Sequence, residues 1–276
     1  MATTRREMLA AALAAGGLVS AAQAAPVRYV RFRSGSATAY GILDGDTIRE
    51  IRGDLFGTYK ETGARHKLSA VKLLYPCEPS KVLAVGLNYR SHLGQQKPPS
   101  NPEVFYKPIT CLANPEDPIL LPADAKNAHY EGELVIVVGK PAKNITPAQA
   151  RDVIFGVTCG NDVSERDWQK NDLQWWRAKG ADTFGPLGPV IVRGLDYGNL
   201  NLETRLNGEV VQKQSTSDLL FDCHAIVSFA SRYVTLAPGD VIYTGTPGTT
   251  RAMKPGDTVE VEIAGVGTLR NRVAAA

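Results

Sequence analysis

The chain has 276 residues, 43% of them apolar and 21% charged, and a formal net charge of +3. That length can bury one large core, or a large and a small one, and the composition is that of an ordinary soluble globular enzyme. So small a charge excess gives no reason to expect nucleic acid or a membrane surface as partner.

Residues 1–24 stand apart. Arg5-Arg6 precedes an Ala/Leu/Gly run that closes on Ala22-Gln23-Ala24. A basic start, a short apolar stretch and an A-x-A end read as a cleavable signal, here of twin-arginine type, and predict a periplasmic protein. No later stretch reaches the roughly 18 apolar residues of a spanning helix. The cysteines Cys77, Cys111, Cys159 and Cys223 lack close spacing and sit in or beside apolar segments, which predicts buried free thiols.

Residues 25–75 read as a small β-rich N-terminal domain, with a hairpin at Asp44-Gly45-Asp46. Residues 76–276 read as the main domain, opening with a buried strand at Lys81–Gly86. From there the chain is mostly strand with Gly/Pro punctuation. Two helices are predicted: one from Glu165 to Trp176 with Ser164 as N-cap and Asp167 at the third position, the other from Cys223 to Tyr233. Pro238-Gly239-Asp240 and Pro255-Gly256-Asp257 share a pattern, read as the same turn chemistry used twice.

His129-Tyr130-Glu131-Gly132-Glu133 leads into Leu134-Val135-Ile136-Val137-Val138. As a strand, this segment sends Glu131, Glu133, Val135 and Val137 to one face, with the two carboxylates about 7 Å apart. The second half is apolar on both sides, so the acids enter a buried face. There they need a cation, for which a hard divalent ion is the simplest candidate, unless the strand end emerges into water. The apolar run Val153–Gly160 delivers Asp162, which reads equally as a ligand or a turn residue. Arg166 and Gln169 lie three apart, on one side of a helix, and suit either a substrate carboxylate or a routine surface pair. Lys179 sits in a Gly/Pro loop, where it is either an oxyanion stabiliser or simply solvated. His92, after the Lys81–Gly86 strand, is the best general-base candidate of four histidines. His66 reads as a surface residue, and His129 and His224 as structural.

These segments, in order, resemble the fumarylacetoacetate hydrolase family. Asn88-Tyr89-x-x-His92, Phe105-Tyr106-Lys107-Pro108, Glu131-x-Glu133, Gly160-Asn161-Asp162 with Arg166 and Gln169, and Lys179-Gly180-x-Asp182 all match its pattern. Leu206-Asn207-Gly208-Glu209 and Thr244-Gly245-Thr246-Pro247-Gly248 complete the set, which runs from about Lys81 to the C-terminus. The resemblance implies an α+β, mostly β fold, a mixed β-sheet roll that is often dimeric. It implies Mg²⁺, or Mn²⁺ or Ca²⁺, on Glu131, Glu133 and Asp162, with Thr183 near the metal. It implies substrate contacts from Arg166, Gln169, Tyr89 and Thr246, and catalytic roles for Lys179 and for His92 on a closing loop.

One departure bears on the reaction. Many family members carry Glu three residues after this histidine, and here the position holds Gln95, which cannot act as a carboxylate base. Glu103 is a candidate replacement, and residues 95–102 read as a lid. The expected activity is metal-dependent hydrolysis of a C–C bond in a β-diketo or 2-oxo acid. Decarboxylation, enol–keto isomerisation or a ureidoglycolate-type lyase reaction are alternatives. A non-catalytic exported small-acid binder is the alternative of another class.

Overall fold

The computed structural model describes residues 25–276, and the expected signal segment lies outside the described residues. Among the described residues no helix is long and apolar enough to cross a membrane. The described residues are mostly β, as the resemblance implies, and include two short helices near the site, one short capped helix Pro147–Val153, and one longer helix.

A twelve-stranded sheet forms the backbone of the molecule. Its centre runs Gly185–Arg193, Ile154–Asn161, Gly132–Val138, Val241–Tyr243, Val82–Gly86 and Glu103–Lys107, each paired with the next. The N-terminal strands Val27–Ser34, Ala37–Asp44, Thr47–Gly53 and Tyr59–Lys67 form a meander joined to this sheet, because Val27–Ser34 pairs antiparallel with Gly185–Arg193. The expected hairpin is present between Asp44 and Thr47. Gly45 turns it with φ 59°, a left-handed value open to glycine without strain. A five-stranded sheet, Glu209–Ser215, Asn201–Leu206, Thr258–Ile263, Gly267–Ala275 and Ile119–Leu121, packs on the first.

The strand Gly132–Val138 is buried along its whole length. Leu134, Ile136 and Val138 pack with Ile226, Val227 and Ala230 of the helix Cys223–Tyr233 and with Val261, Ile263 and Leu269. Val135 and Val137 face the opposite way, onto Val82, Ala84, Leu187 and Tyr243. The two faces are those the alternation gives, and Glu133 shares the Val135 and Val137 face. The helix Cys223–Tyr233 has the expected limits, with Asp222 as N-cap accepting from the N–H of Ala225 at 2.8 Å.

The helix expected from Glu165 to Trp176 is two short helices, Arg166–Asn171 and Trp176–Gly180. Ser164 pairs in a short ladder with His129, so Glu165 is the N-cap instead and accepts from the N–H of Trp168 at 2.7 Å. Asp172 is extended and ends the first helix, its carboxylate held by Arg177 Nε and Nη2 at 2.5 and 2.8 Å. The break lets the chain turn so that Lys179 faces inward.

The two Pro-Gly-Asp turns share their chemistry. Asp240 Oδ2 accepts from the N–H of Ala237 at 2.6 Å, and Asp257 Oδ2 from that of Lys254 at 2.8 Å. Asp240 also receives the N–H and hydroxyl of Ser80, the N–H of Lys81 and the Lys81 ammonium. This fastens the 76–81 linker beside the strand Val241–Tyr243. All four cysteines are buried and free. His66, expected at the surface, is half-buried, 3.0 Å from Glu50 Oε2 and against the ring of Phe32.

Candidate metal centre and active site

Three acids meet where the central strands end. Glu131 and Glu133 come from the start of Gly132–Val138, and Asp162 from the end of the neighbouring Ile154–Asn161, paired so that Gly132 lies opposite Asn161. The N–H of Asp162 donates to the carbonyl of Glu131 at 2.9 Å, and Asn161 Oδ1 accepts from the N–H of Glu131 at 2.9 Å. Gly132 separates the two glutamates because a Cβ there would lie 2.0 Å from Thr204 Oγ1. All three carboxylates are buried, and each offers an oxygen within 4.8 Å of the others.

Two buried lysines share Asp162. Lys179 Nζ reaches Glu131 Oε2 at 2.6 Å and Asp162 Oδ2 at 2.7 Å. Lys107 Nζ reaches Asp162 Oδ1 at 2.5 Å, the carbonyl of Phe184 at 3.1 Å and the carbonyl of Lys179. Arg166 Nη2 adds a 2.5 Å bond to Glu131 Oε1, and Arg166 Nη1 donates to Gln169 Oε1 at 2.7 Å.

These partners split the carboxylates electrostatically. Burial by itself would raise the Glu131 carboxyl, but the charges of Lys179 and then Arg166 outweigh it and hold the group well below the usual carboxylate range. Burial would lower Lys179, yet Asp162 and Glu131 keep it above the ordinary lysine value and therefore charged. Glu133 is pushed well above the carboxylate range, first by burial and then by the charges of Asp162 and Glu131. Among the described residues its one fixed donor is the N–H of Gly245, 2.7 Å from Oε2. Among the described residues no Lys, Arg or His pairs with Glu133. A buried acid without a cation of its own, beside two more, is the arrangement a hard divalent ion fits.

His92 sits across from this cluster. Its Nδ1 lies 2.5 Å from the carbonyl oxygen of Gly248, which can only accept, so Nδ1 carries the proton. Nε2 is then the free nitrogen, 3.6 Å from Glu131 Oε1. The N–H of Gly248 donates in turn to Ser91 Oγ at 3.0 Å, so the 89–92 and 245–248 loops are stitched together. Gly245 has φ 105° and leaves only 2.7 Å between a would-be Cβ and that of Asn88, so glycine is required there. Burial first, then Arg166, pulls His129 down to about 4, and its ring nitrogens rest on Thr250 and Asn127 at 2.8 Å. The neutral, structural reading of this residue fits that setting. His224 bonds Tyr197 at 3.0 Å.

The remaining expected site residues differ in how free they are. Tyr89 is buried, with a hydroxyl that has no hydrogen-bond partner among the described residues. The Thr246 hydroxyl is committed, donating to the Gly132 carbonyl at 2.9 Å and accepting from Gln212 Nε2 at 2.8 Å. Thr183 has the left-handed φ of 68° and its hydroxyl accepts from the N–H of Leu120 at 2.8 Å. Gln95 and Glu103 are exposed. A cavity of about 880 Å³ lined by Phe155, Arg193, Tyr197 and His224, among others, contains none of the residues named for this site.

Sequence reasoning missed Lys107, Gln212 and the Gly245 N–H. Lys107 lies inside a motif quoted for its resemblance, but a single lysine ending a strand before proline carries no local sign of burial.

The fold and centre together are those of a mostly β enzyme with a candidate divalent-metal site. Residues 81–274 match the model for the fumarylacetoacetate (FAA) hydrolase C-terminal region, and residues 27–76 match the Rv2993c-like N-terminal model. The chain belongs to the fumarylacetoacetate hydrolase family. It is 46% identical over 259 residues to Protein Rv2993c of Mycobacterium tuberculosis, covering 90% of this chain and 98% of that one. It is 41% identical over 220 residues to the mitochondrial oxaloacetate tautomerase fahd2 of Xenopus laevis, covering 74% and 69%. A solved 2-hydroxyhepta-2,4-diene-1,7-dioate isomerase from Mycobacterium marinum superposes with TM-score 0.85 at 45% identity, covering 90% and 98%.

Proposed function

We propose that this protein is a divalent-metal-dependent isomerase that interconverts the enol and keto forms of a small 2-oxo acid, with oxaloacetate as the first substrate to test. Glu131, Glu133 and Asp162 would hold Mg²⁺ or Mn²⁺, which when bound polarises a keto oxygen. Arg166 and Gln169 orient the substrate carboxylate, and Tyr89 offers a hydroxyl to a substrate oxygen. The Lys179 ammonium stabilises negative charge developing on the oxo group. His92 Nε2 moves the proton between that oxygen and the adjacent carbon.

The observation that carries this reading is the setting of His92. Its Nδ1 is bonded to a backbone carbonyl rather than to a carboxylate, and position 95 holds an exposed glutamine. A proton shuttle needs only the free Nε2. Activation of water for hydrolysis is helped by a carboxylate that stabilises the imidazolium. The names of the Xenopus and M. marinum relatives, a tautomerase and an isomerase, point the same way. Hydrolysis of an acylpyruvate-like C–C bond is the second reading, favoured by the matching family's name.

The test is a paired assay of the metal-loaded protein, following loss of the enol form of oxaloacetate and cleavage of an acylpyruvate. Fast enol loss with slow cleavage is expected, and the reverse overturns the assignment. Gln95→Glu should leave isomerisation unchanged. A large gain in cleavage would move the protein to the hydrolases.

Export through the twin-arginine route is part of the same proposal, supported by Arg5-Arg6 and Ala22-Gln23-Ala24. Arg5→Lys with Arg6→Lys should hold the precursor in the cytoplasm. A homodimer is the proposed assembly, and light scattering of the mature chain tests it.

A further inference from the structure

Each of the three buried carboxylates has one oxygen taken by a donor other than Lys179. Glu133 Oε2 accepts from the Gly245 N–H at 2.7 Å, Glu131 Oε1 from Arg166 Nη2 at 2.5 Å, and Asp162 Oδ1 from Lys107 Nζ at 2.5 Å. Two of these donors cannot withdraw. Gly245 donates from the main chain. The Lys107 side chain is 0% exposed, and its three N–H groups go to Asp162 and to the carbonyls of Lys179 and Phe184.

We propose that Lys107 is a positioning residue that restricts Asp162 to ligation through Oδ2 alone, and so selects a small ion such as Mg²⁺ or Mn²⁺ over Ca²⁺. The inference rests on the reading that Glu131, Glu133 and Asp162 hold an ion. Glu133 Oε1 accepts no hydrogen bond among the described residues, whereas Glu131 Oε2 and Asp162 Oδ2 are held by Lys179 Nζ at 2.6 and 2.7 Å, so this ammonium has to swing off both as an ion enters; the three acids then supply three ligand atoms. A small ion that needs six oxygens would take the remainder from water and substrate. Ca²⁺ takes six to eight oxygens and favours carboxylates that give both. Lys107 denies it the second oxygen of Asp162, and the Gly245 N–H that of Glu133. The same lysine holds the two ends of the segment from Lys179 to Phe184, where Thr183 takes its left-handed φ. A role confined to bracing that turn would affect all ions alike, so the ratio of affinities separates the two roles.

The experiment titrates Mn²⁺ and Ca²⁺ separately into metal-free mature protein by calorimetry, for wild type and Lys107→Met, with melting temperatures recorded. Wild type should bind Mn²⁺ more tightly. In Lys107→Met the Mn²⁺ to Ca²⁺ affinity ratio should fall by about tenfold or more, the lower end of what partners of metal ligands contribute. Parallel shifts of both ions, with the ratio kept, overturn the proposal and leave Lys107 a structural brace. If Lys107→Met does not fold, Lys107→Gln is judged by the same ratio, since its side chain is one bond shorter and uncharged. Wild type that binds neither ion overturns the metal reading itself, an outcome distinct from a preserved ratio.

Discussion

Asp240 and Glu133 are both buried carboxylates beside central strands, yet their surroundings are opposite. Asp240 accepts from five donors: two from Ser80, two from Lys81 and one from Ala237. Among the described residues Glu133 has one, the Gly245 N–H, and two acidic neighbours that raise its proton affinity. A saturated buried acid holds a turn to a strand and has nothing left to offer. An under-supplied one is costly as it stands and gains from a cation. The difference separates a structural carboxylate from a candidate ligand without reference to any relative.

Substitutions at the two positions should therefore diverge, and the largest expected effect is on turnover. Glu133→Gln replaces a buried acid whose ionisation burial, Asp162 and Glu131 all oppose, so the metal-free protein should melt at the same temperature or higher. Activity should drop by more than about 100-fold, because a ligand's loss exceeds what its supporting partners contribute. A drop in stability without loss of activity would reverse the comparison.

His92→Ala sharpens the assignment on the functional side. It should slow enol–keto exchange by about 10²–10⁴-fold, the usual worth of a positioned acid–base group, while Mn²⁺ affinity stays near wild type. Undiminished exchange would remove His92 from the mechanism.

Asp240→Asn should act on stability. The amide turns an acceptor into a donor against groups that already donate, and each buried donor left unpaired costs about 1–3 kcal/mol. Denaturant melts should show that loss, with turnover per folded molecule unchanged.

The smallest effect concerns the thiols. Burial, the largest influence on each, pushes Cys77 and Cys223 up to about 12 and Cys111 up to about 11. Below those values the folded protein holds its thiols protonated, so a disulfide reagent at pH 8 should find almost no thiolate. Cys77 donates to the carbonyl of Gly239, within the Asp240 turn. It should be the first thiol to react in Asp240→Asn, and equal reactivity in both proteins would show that the turn does not guard it.

Much of this organisation was legible along the chain. The alternation after Glu133 gave both faces of the central strand. The spacing of Ile226, Val227 and Ala230 gave a helix with the observed limits, and the Pro-Gly-Asp repeat gave two matching turns. Glu131, Glu133, Asp162 and Lys179 could be singled out as chemistry-bearing residues, and the structure brings them together. The single helix expected from Glu165 to Trp176 failed because Ser164 pairs with His129, a partner 35 positions earlier, and Asp172 is claimed by Arg177.

By itself, then, the sequence determined the features that local spacing controls: strand and helix periodicity, turn residues, and an ordered set of motifs that together specify the family. Tertiary structure alone decided which donor each carboxylate receives. Asp162 gains Lys107 from 55 positions away, Glu133 gains the Gly245 N–H from 112 away, and His92 finds the Gly248 carbonyl 156 away. Such pairings depend on which strands lie side by side, and local propensity carries no record of that. The same sheet order sets how many donors reach a buried acid, which is why Asp240 ends saturated and Glu133 does not.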